Sequence, residues 1–237
     1  MQPPQSETIA LGFTWYVVFL FSTVCHEGAH ALAAQLGGDL TAFHGGQVTL
    51  NPLPHIRREP MGMVVVPILS YVLSGWTIGW ASTPYDPLWQ RRYPRRAAWM
   101  ALAGPAANFA LMLLAAIAIR IGVAAGYFHP PLAPGFTHIT ESTQAAGPAF
   151  AATFWSILFV LNLLLGTFNL LPVPPLDGHA VVMLFMGEAA ALKYLDWTHR
   201  GGFGLLGLIL AWALFGRIFR VIFVLALNVL YPGSNYV

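Results

Sequence analysis

Five consecutive residues in an apolar segment near the start of the chain have the types and spacing needed to bind a metal ion. Residues 26–30 read His-Glu-Gly-Ala-His, an H-E-x-x-H pattern. Side chains four residues apart lie on one face of an α-helix, so His26 and His30 can bind the same Zn²⁺ ion. Glu27, next to the first histidine, is placed to act as general base toward a water molecule at that ion. The pattern predicts a hydrolytic zinc site.

The surroundings of this motif favour a metal over a merely structural role. A carboxylate and two imidazoles in a membrane-spanning segment cost several kcal/mol unless something pairs with them. No lysine or arginine lies within two helical turns of Glu27. A buried, hydrogen-bonded polar cluster without metal is the competing explanation, but it gives no reason for three such groups at one place. We therefore expect one zinc ion per chain.

Two histidines do not complete a catalytic zinc site, which usually has three protein ligands and one open position. Asp177 is the best third candidate, because it follows Pro174 and Pro175 at the end of a long apolar segment. An N-cap of the next helix is its alternative role. Given the missing ligand, metal binding is favoured.

Asparagines in the apolar segments can serve either chemistry or packing. Asn169 can donate a hydrogen bond to an oxyanion or orient a substrate carbonyl. Its alternative role is a hydrogen bond to a neighbouring helix, which polar residues of membrane helices commonly make. For Asn108 and Asn162 we favour this interhelical role.

The composition indicates the solvent in which these groups work. Of the 237 residues, 57% are hydrophobic and 8% are charged, whereas soluble domains carry about a quarter charged residues. The chain is therefore predicted to be an all-α polytopic membrane protein. A net charge of +2 is too small to indicate a nucleic-acid partner, and the single Cys25 excludes an intramolecular disulfide.

Four stretches have the roughly 20 apolar residues that a spanning helix needs: 9–36, 97–125, 148–171 and 203–231. The last of them contains two charged residues, Arg217 and Arg220. Either their side chains extend along the helix toward polar surroundings, or they mark a break between two shorter helices.

Three further segments are ambiguous. Residues 61–82 are apolar but interrupted by proline and glycine. Residues 178–190 are too short to span unaided and are interpreted as a helix that stops partway across the membrane. The glycine-containing segment 40–50 is interpreted as a short β-hairpin, whose edge strand could hold an extended substrate, or as an ordinary loop. Altogether we expect about four to six transmembrane or re-entrant helical segments, with a hairpin-like element near residues 40–50.

Arginine positions predict the orientation in the membrane. The loop 83–96 contains four arginines, which places it in the cytoplasm by the positive-inside rule. The loop 37–60 carries Arg57 and Arg58 and is assigned to the same side. Segment 61–82 would then re-enter rather than cross, although a plain span remains an alternative. The loop 121–147, almost free of positive charge, is assigned to the outer face.

Three motifs in this order resemble those of the site-2 protease family of intramembrane zinc metalloproteases. H-E-x-x-H is residues 26–30, the family's N-x-x-P-x-x-x-x-D-G motif is matched by residues 169–178, and its G-P-x-x-N segment by residues 104–108. Residues 79–96 are similar to a loop of compact bacterial and archaeal members. The sequence departs from better-known members in lacking a PDZ-like insertion, so the resemblance is to the compact prokaryotic type.

The resemblance implies specific roles and partners. His26, His30 and Asp177 would bind zinc, Glu27 would be the general base, and Asn169 would lie near the oxyanion. The chain would be a single integral-membrane metalloprotease domain over residues 1–237, in a prokaryotic cell membrane, with its active site nearer the cytoplasmic face. Its partners would be the lipid bilayer and single-span membrane substrates cut in regulated intramembrane proteolysis.

Two other functions compete with this one. The first is a catalytically inactive metal-binding membrane scaffold, which would need the ligands but not Glu27. The second is a transporter-like protein, which would show repeated halves with matching discontinuous helices. No such symmetry is visible in the sequence, and the oligomeric state is not determined by it.

Overall fold

Four long apolar helices dominate the fold. A computed structural model describes residues 5–200 and 203–237. The stretches long and apolar enough to cross a membrane are Ser6–Gly37, Pro94–Ala124, Gly147–Asn169 and Gly204–Leu230. They coincide with the four stretches predicted from the sequence, which confirms the all-α polytopic class.

The helices follow one another along the chain with short connections. In order they are α1 (Gln5–Gly37), α2 (Thr41–His44), α3 (Pro52–Arg58), α4 (Val66–Ser74), α5 (Pro87–Arg92), α6 (Pro94–Ala124), α7 (Gly147–Asn169), α8 (Asp177–Val181), α9 (Glu188–Arg200) and α10 (Phe203–Leu230). A π-helical turn, Met61–Val65, precedes α4, and a 3-10 turn, Val182–Phe185, follows α8.

Three of the long helices form the core. Fully buried side chains from α1, α6 and α7 pack together, among them Phe19, Ile119 and Ile157. Helix α10 contributes Phe215 and Phe219 from one face and leaves most of its other side chains exposed. The α1–α6–α7 unit is therefore the core of the fold, and α10 lies at its edge.

The two ends of segment 61–82 lie close together at one end of the fold. Helix α4 ends at Ser74, and the positive φ of 77° at the next residue, Gly75, turns the chain back. Near this tip the Tyr71 hydroxyl donates to Thr8 O at 2.7 Å, close to the start of α1. The returning segment is extended, and the Ser82 hydroxyl meets Glu59 Oε1 at 2.6 Å. The segment is thus a re-entrant hairpin of one helix and one extended limb, not a plain span.

The prediction of a β-hairpin near residues 40–50 is wrong. This segment contains the short helix α2 and a glycine turn. The Asp39 carboxylate accepts bonds from Thr41 N and Thr41 Oγ1, which favours a helical turn over an extended strand. The two-stranded antiparallel sheet of the described residues lies instead in the loop before α7, where β1 (Phe128–His129) pairs with β2 (Glu141–Ser142).

The last third of the chain clarifies two other expectations. Residues 178–190 form no single partial span, since α8, the 3-10 turn and the start of α9 divide them. Helix α10 runs without interruption from Phe203 to Leu230. Of the two alternatives considered for Arg217 and Arg220, the break between two shorter helices is excluded.

Candidate metal centre

Helix α1 brings the two histidines of the H-E-x-x-H motif together. Their Nε2 atoms are 2.9 Å apart, and both side chains are buried. The four-residue spacing places the imidazoles on one face of α1. That face lies against Gly104 of α6 and Asp177 of α8.

Each imidazole is held by a hydrogen bond at its other nitrogen. His30 Nδ1 is 2.7 Å from Met100 O, a carbonyl that can only accept, so Nδ1 donates. His26 Nδ1 is 2.6 Å from Asn108 Oδ1, while the Asn108 amide donates to Asn162 Oδ1 at 2.8 Å. With a proton on both Nδ1 atoms, the neutral rings present bare Nε2 lone pairs to each other.

Asp177 supplies a third atom to the same point. Its Oδ2 lies 3.1 Å from His26 Nε2 and 3.3 Å from His30 Nε2, and it is buried with no hydrogen-bond donor. Three groups that present lone pairs to one another repel unless a cation lies between them. Two imidazoles and one carboxylate are ligands that Zn²⁺ accepts, so the residues present fit the metal.

The position of Asp177 excludes the alternative given to it above. It is the first residue of α8, the N-cap position belongs to Leu176, and no side chain caps this helix. Its carboxyl group is directed at the imidazoles of His26 and His30 instead.

Gly104 of α6 leaves the room in which a metal would lie. A Cβ atom built on Gly104 would overlap His30 Nε2 and would lie 2.6 Å from His26 Nε2. A side chain at this position would fill the point at which the ligand atoms converge. Glycine at position 104 is thus a spatial requirement of the centre.

Glu27 is buried beside the ligands and held by the extended limb of the hairpin. The Thr83 hydroxyl lies 2.6 Å from Glu27 Oε2 and 3.0 Å from Glu27 O. A hydroxyl has one proton, and the shorter, charge-assisted bond to the carboxylate takes it. The end of the re-entrant hairpin therefore fixes the orientation of this side chain.

A cavity of about 1030 Å³ joins these groups. Besides the three candidate ligands and Glu27, its wall includes Asn169 at the end of α7 and the limb Ile78–Thr83. The Asn169 amide donates to Leu165 O at 3.1 Å and has a second N–H to offer. His26, Glu27, His30, Asp177 and Asn169, all selected from the sequence, thus line one space.

Three contributors were not recognised from the sequence as parts of this site. Asn108 does make the expected interhelical bond, to Asn162, but it also holds His26. Gly104 and Asn108 are the first and last residues of the G-P-x-x-N segment. That segment was the one feature of the sequence that could have indicated their part in the site. Thr83 lies in a loop beside Ala81 and Ser82, and no feature of the sequence marks it as part of the site.

Comparison with known proteins now places the chain in a family. The sequence profile of peptidase family M50 matches residues 14–210. The chain belongs to peptidase family M50, the site-2 protease family. This confirms the resemblance, and the matched region contains every candidate ligand.

Curated relatives of this M50 chain carry related names. "Putative zinc metalloprotease YwhC" of Bacillus subtilis is 29% identical over 167 residues, which is 70% of this chain and 66% of the relative. Two proteins named "Putative zinc metalloprotease Rip2" are similar over 69% of this chain and 54% of their own length: 30% identical in Mycolicibacterium smegmatis and 32% in Mycobacterium tuberculosis. The matched region thus spans less than two thirds of these relatives. No solved structure matches the chain significantly.

Family and relatives agree with the geometry of the cluster. The printed names of the relatives include zinc, and the ligand set of the cluster fits that metal. The apolar helices support an integral membrane location.

The hydrogen bond from His26 to Asn108 gives a first test of this M50 site. Replacing Asn108 by Leu removes the acceptor that fixes the His26 tautomer. Loss of such a partner typically costs 10–100-fold in metal affinity, and we expect a zinc dissociation constant raised by about that factor. Competition titration with a chromophoric chelator measures it. Asn228→Leu, near the C-terminal end of α10, is the control and should leave the zinc affinity unchanged. An unchanged zinc affinity in Asn108→Leu would exclude a role of Asn108 in positioning His26.

Proposed function

We propose that this M50 chain is an intramembrane zinc metalloprotease, which hydrolyses peptide bonds within or near the transmembrane segments of membrane-anchored proteins. The observation that carries the proposal is the convergence of His26 Nε2, His30 Nε2 and Asp177 Oδ2 beside the buried Glu27. All four lie in a cavity between helices that are apolar enough to span a membrane.

Each ligand is assigned from its contacts. His26 and His30 bind the metal through Nε2, because their Nδ1 atoms are engaged by Asn108 and Met100. Asp177 binds through Oδ2, which has no other partner among the described residues. Zinc at this point supplies a Lewis acid that activates water and polarises a carbonyl group.

The proton transfers are assigned to Glu27. Its carboxylate takes a proton from the attacking water and returns it to the leaving amine. Thr83 keeps Oε2 in one orientation through the 2.6 Å hydrogen bond. The carboxylate therefore does not have to be ordered again in each turnover.

Asn169 and the hairpin limb are assigned to the substrate. The second N–H of the Asn169 amide can donate to the oxygen on which negative charge develops. The limb Ile78–Thr83 is extended and forms part of the cavity wall. Within this limb, Ala81 lines the cavity and its main-chain groups have no hydrogen bond among the described residues, so an unwound substrate segment can pair with them. The substrate-holding role considered for residues 40–50 is thus proposed for residues 78–83.

The positions of the arginines favour one orientation of the metal cluster in the membrane. The arginine-containing helix α5 lies at the same end of the fold as the metal cluster, since Trp89 Nε1 donates to Gly37 O at 3.0 Å. If the positive-inside rule holds, the cluster is nearer the cytoplasmic face. The bacterial source of the relatives supports a prokaryotic cell membrane, and we propose single-span membrane proteins as substrates in regulated intramembrane proteolysis.

The test is cleavage by the purified chain in lipid vesicles containing a panel of single-span membrane proteins. We expect cuts mapped by mass spectrometry to fall in or next to membrane segments, to stop on chelation and to resume with Zn²⁺. Asp177→Ala should lose both zinc and cleavage. Cleavage that persists without metal, or cuts confined to soluble tails, would contradict the proposal. A protein that binds zinc stoichiometrically but cleaves none of the panel would favour the scaffold alternative.

A further inference from the structure

Two arginines lie in the middle of the exposed face of α10. Arg217 is midway between Gly204 and Leu230, and Arg220 follows one turn later. Both side chains are exposed, and neither has a hydrogen bond or ion pair within residues 5–200 and 203–237. By contrast, Arg120 of α6 donates to Leu230 O and Arg91 pairs with Asp196. A spanning helix with two unpaired guanidinium groups on its outer face needs an explanation.

Their depth excludes an ordinary interfacial position. At 1.5 Å per residue, Arg217 is about 20 Å from either end of the span. The hydrocarbon core of a bilayer is about 30 Å thick, so its centre is about 15 Å from the polar regions, which is farther than an arginine side chain reaches. Ionisable residues at this depth commonly pair with one another or line a polar path. A partner for these two must come from outside the described fold.

A second copy of the chain cannot supply that partner. The sequence has nine acidic residues, and none of them lies on an exposed face in the interior of a spanning helix. Glu27 and Asp177 are committed to the buried cluster, Glu7 is at the very start of the first span, and the others are Asp39, Glu59, Asp86, Glu141, Glu188 and Asp196, outside the four spans. Pairing α10 with α10 would bring arginine against arginine.

The surface around the arginines suits a helix. Ala213 and Gly216 are small and exposed, and a Cβ built on Gly216 would meet nothing within 4 Å. Small residues allow close approach of helix backbones in membranes. The remaining neighbours, such as Leu210 and Val221, are exposed and apolar. The face therefore offers close packing and, at its centre, guanidinium donors that match a carboxylate in bidentate geometry.

The exposed face of α10 adjoins the cavity that contains the metal cluster. Ile209 and Ala213 of α10 line the cavity. Position 220 follows position 209 after three helical turns, on the same side of the helix as these two residues. A segment lying along Arg220, Ala213 and Ile209 would therefore run toward the cavity that contains the metal cluster.

We propose that the exposed face of α10 around Ala213, Gly216, Arg217 and Arg220 binds the transmembrane helix of another protein through an Asp or Glu at the middle of that helix. The carboxylate pairs with Arg217 and Arg220 and neutralises them within the membrane. The partner is thus defined by chemistry: a single-span segment with one acidic residue at mid-depth. The proposal depends on the membrane position of α10 and not on peptide-bond hydrolysis.

The experiment measures association of synthetic single-span helices with the chain in lipid nanodiscs. The probes are leucine–alanine segments with Asp at the centre, with Asn at the centre, or with Asp moved to one end. The Glu27→Gln variant serves as the background, so that cleavage cannot remove the probe and failure of the proposed protease activity leaves the measurement intact. Energy transfer between labelled chain and labelled probe reports binding.

We expect the central Asp segment to bind at least tenfold more tightly than the other two. In the Arg217→Leu/Arg220→Leu variant this preference should disappear, while Val221→Leu, on the same face, should retain it. Arg217→Glu/Arg220→Glu should instead select a segment with Arg at its centre. Zinc content of each variant checks that the fold is kept.

Several results would overturn the proposal. Equal binding of the Asp and Asn segments would show that charge is not recognised. A preference that survives in Arg217→Leu/Arg220→Leu would place the recognition elsewhere. Self-association of the chain that is lost on replacing the arginines would identify a second copy, rather than an acidic segment, as the occupant of this face.

Discussion

Glu27→Gln is expected to abolish cleavage while leaving zinc bound. Glutamine keeps the size of the side chain, and its Oε1 can still accept the hydrogen bond from Thr83 that holds Glu27 at 2.6 Å. It cannot take a proton from water. General acid–base catalysis contributes about 10²–10⁴-fold to a rate, so we expect the cleavage rate to fall by about that factor.

Zinc content measured by mass spectrometry distinguishes loss of chemistry from loss of the metal. It should match that of the unaltered chain, because Glu27 is not among the three converging ligand atoms. Glu7→Gln, an exposed residue in the first turn of α1, is the matched control and should change neither quantity. Full cleavage by Glu27→Gln would exclude the proposed mechanism.

Gly104→Ala is expected to weaken metal binding although it replaces none of the ligand residues. Its new Cβ would overlap His30 Nε2 and crowd His26 Nε2 at 2.6 Å. Neither imidazole can move aside freely, because Met100 and Asn108 hold their Nδ1 atoms. We expect zinc affinity to fall by at least about 100-fold, comparable with the loss of a positioning partner at the top of its usual range, and cleavage to fall with it.

The matched control is Gly216→Ala in α10. A Cβ at Gly216 meets nothing within 4 Å, so this variant should bind zinc normally. Both changes replace glycine by a better helix former, which favours the helix by up to about 1 kcal/mol. Helical content from circular dichroism shows whether Gly104→Ala still folds. A folded Gly104→Ala variant with full zinc occupancy would contradict the assigned geometry.

The sequence located the helices well because the bilayer imposes a simple rule on length and polarity. The spans 9–36, 97–125, 148–171 and 203–231 each appear within a few residues of their observed bounds. The prediction of a hairpin in the short segment 40–50 was wrong, because a local contact determines the conformation there. The bonds from Thr41 to Asp39 stabilise a helical turn, and hydrophobic patterning carries no information about such bonds.

The re-entrant hairpin depended on contacts between residues distant in sequence. Arginine positions made it an alternative to a plain span, but pairing of Ser82 with Glu59 and of Tyr71 with Thr8 determines its path. The single domain over residues 1–237 and the cytoplasmic side of the active site stay predictions.

The sequence by itself determined the chemistry available to this protein. Helical periodicity makes His26 and His30 share a face, whatever the rest of the chain does, and Glu27 accompanies them. Only the tertiary structure decided that Asp177 joins them, that Asn108 fixes a tautomer, that Gly104 leaves room and that Thr83 orients the base. Such contacts join α1 to α6, α8 and the hairpin. They depend on how helices pack, and the packing of distant segments is not encoded in the spacing of any one motif.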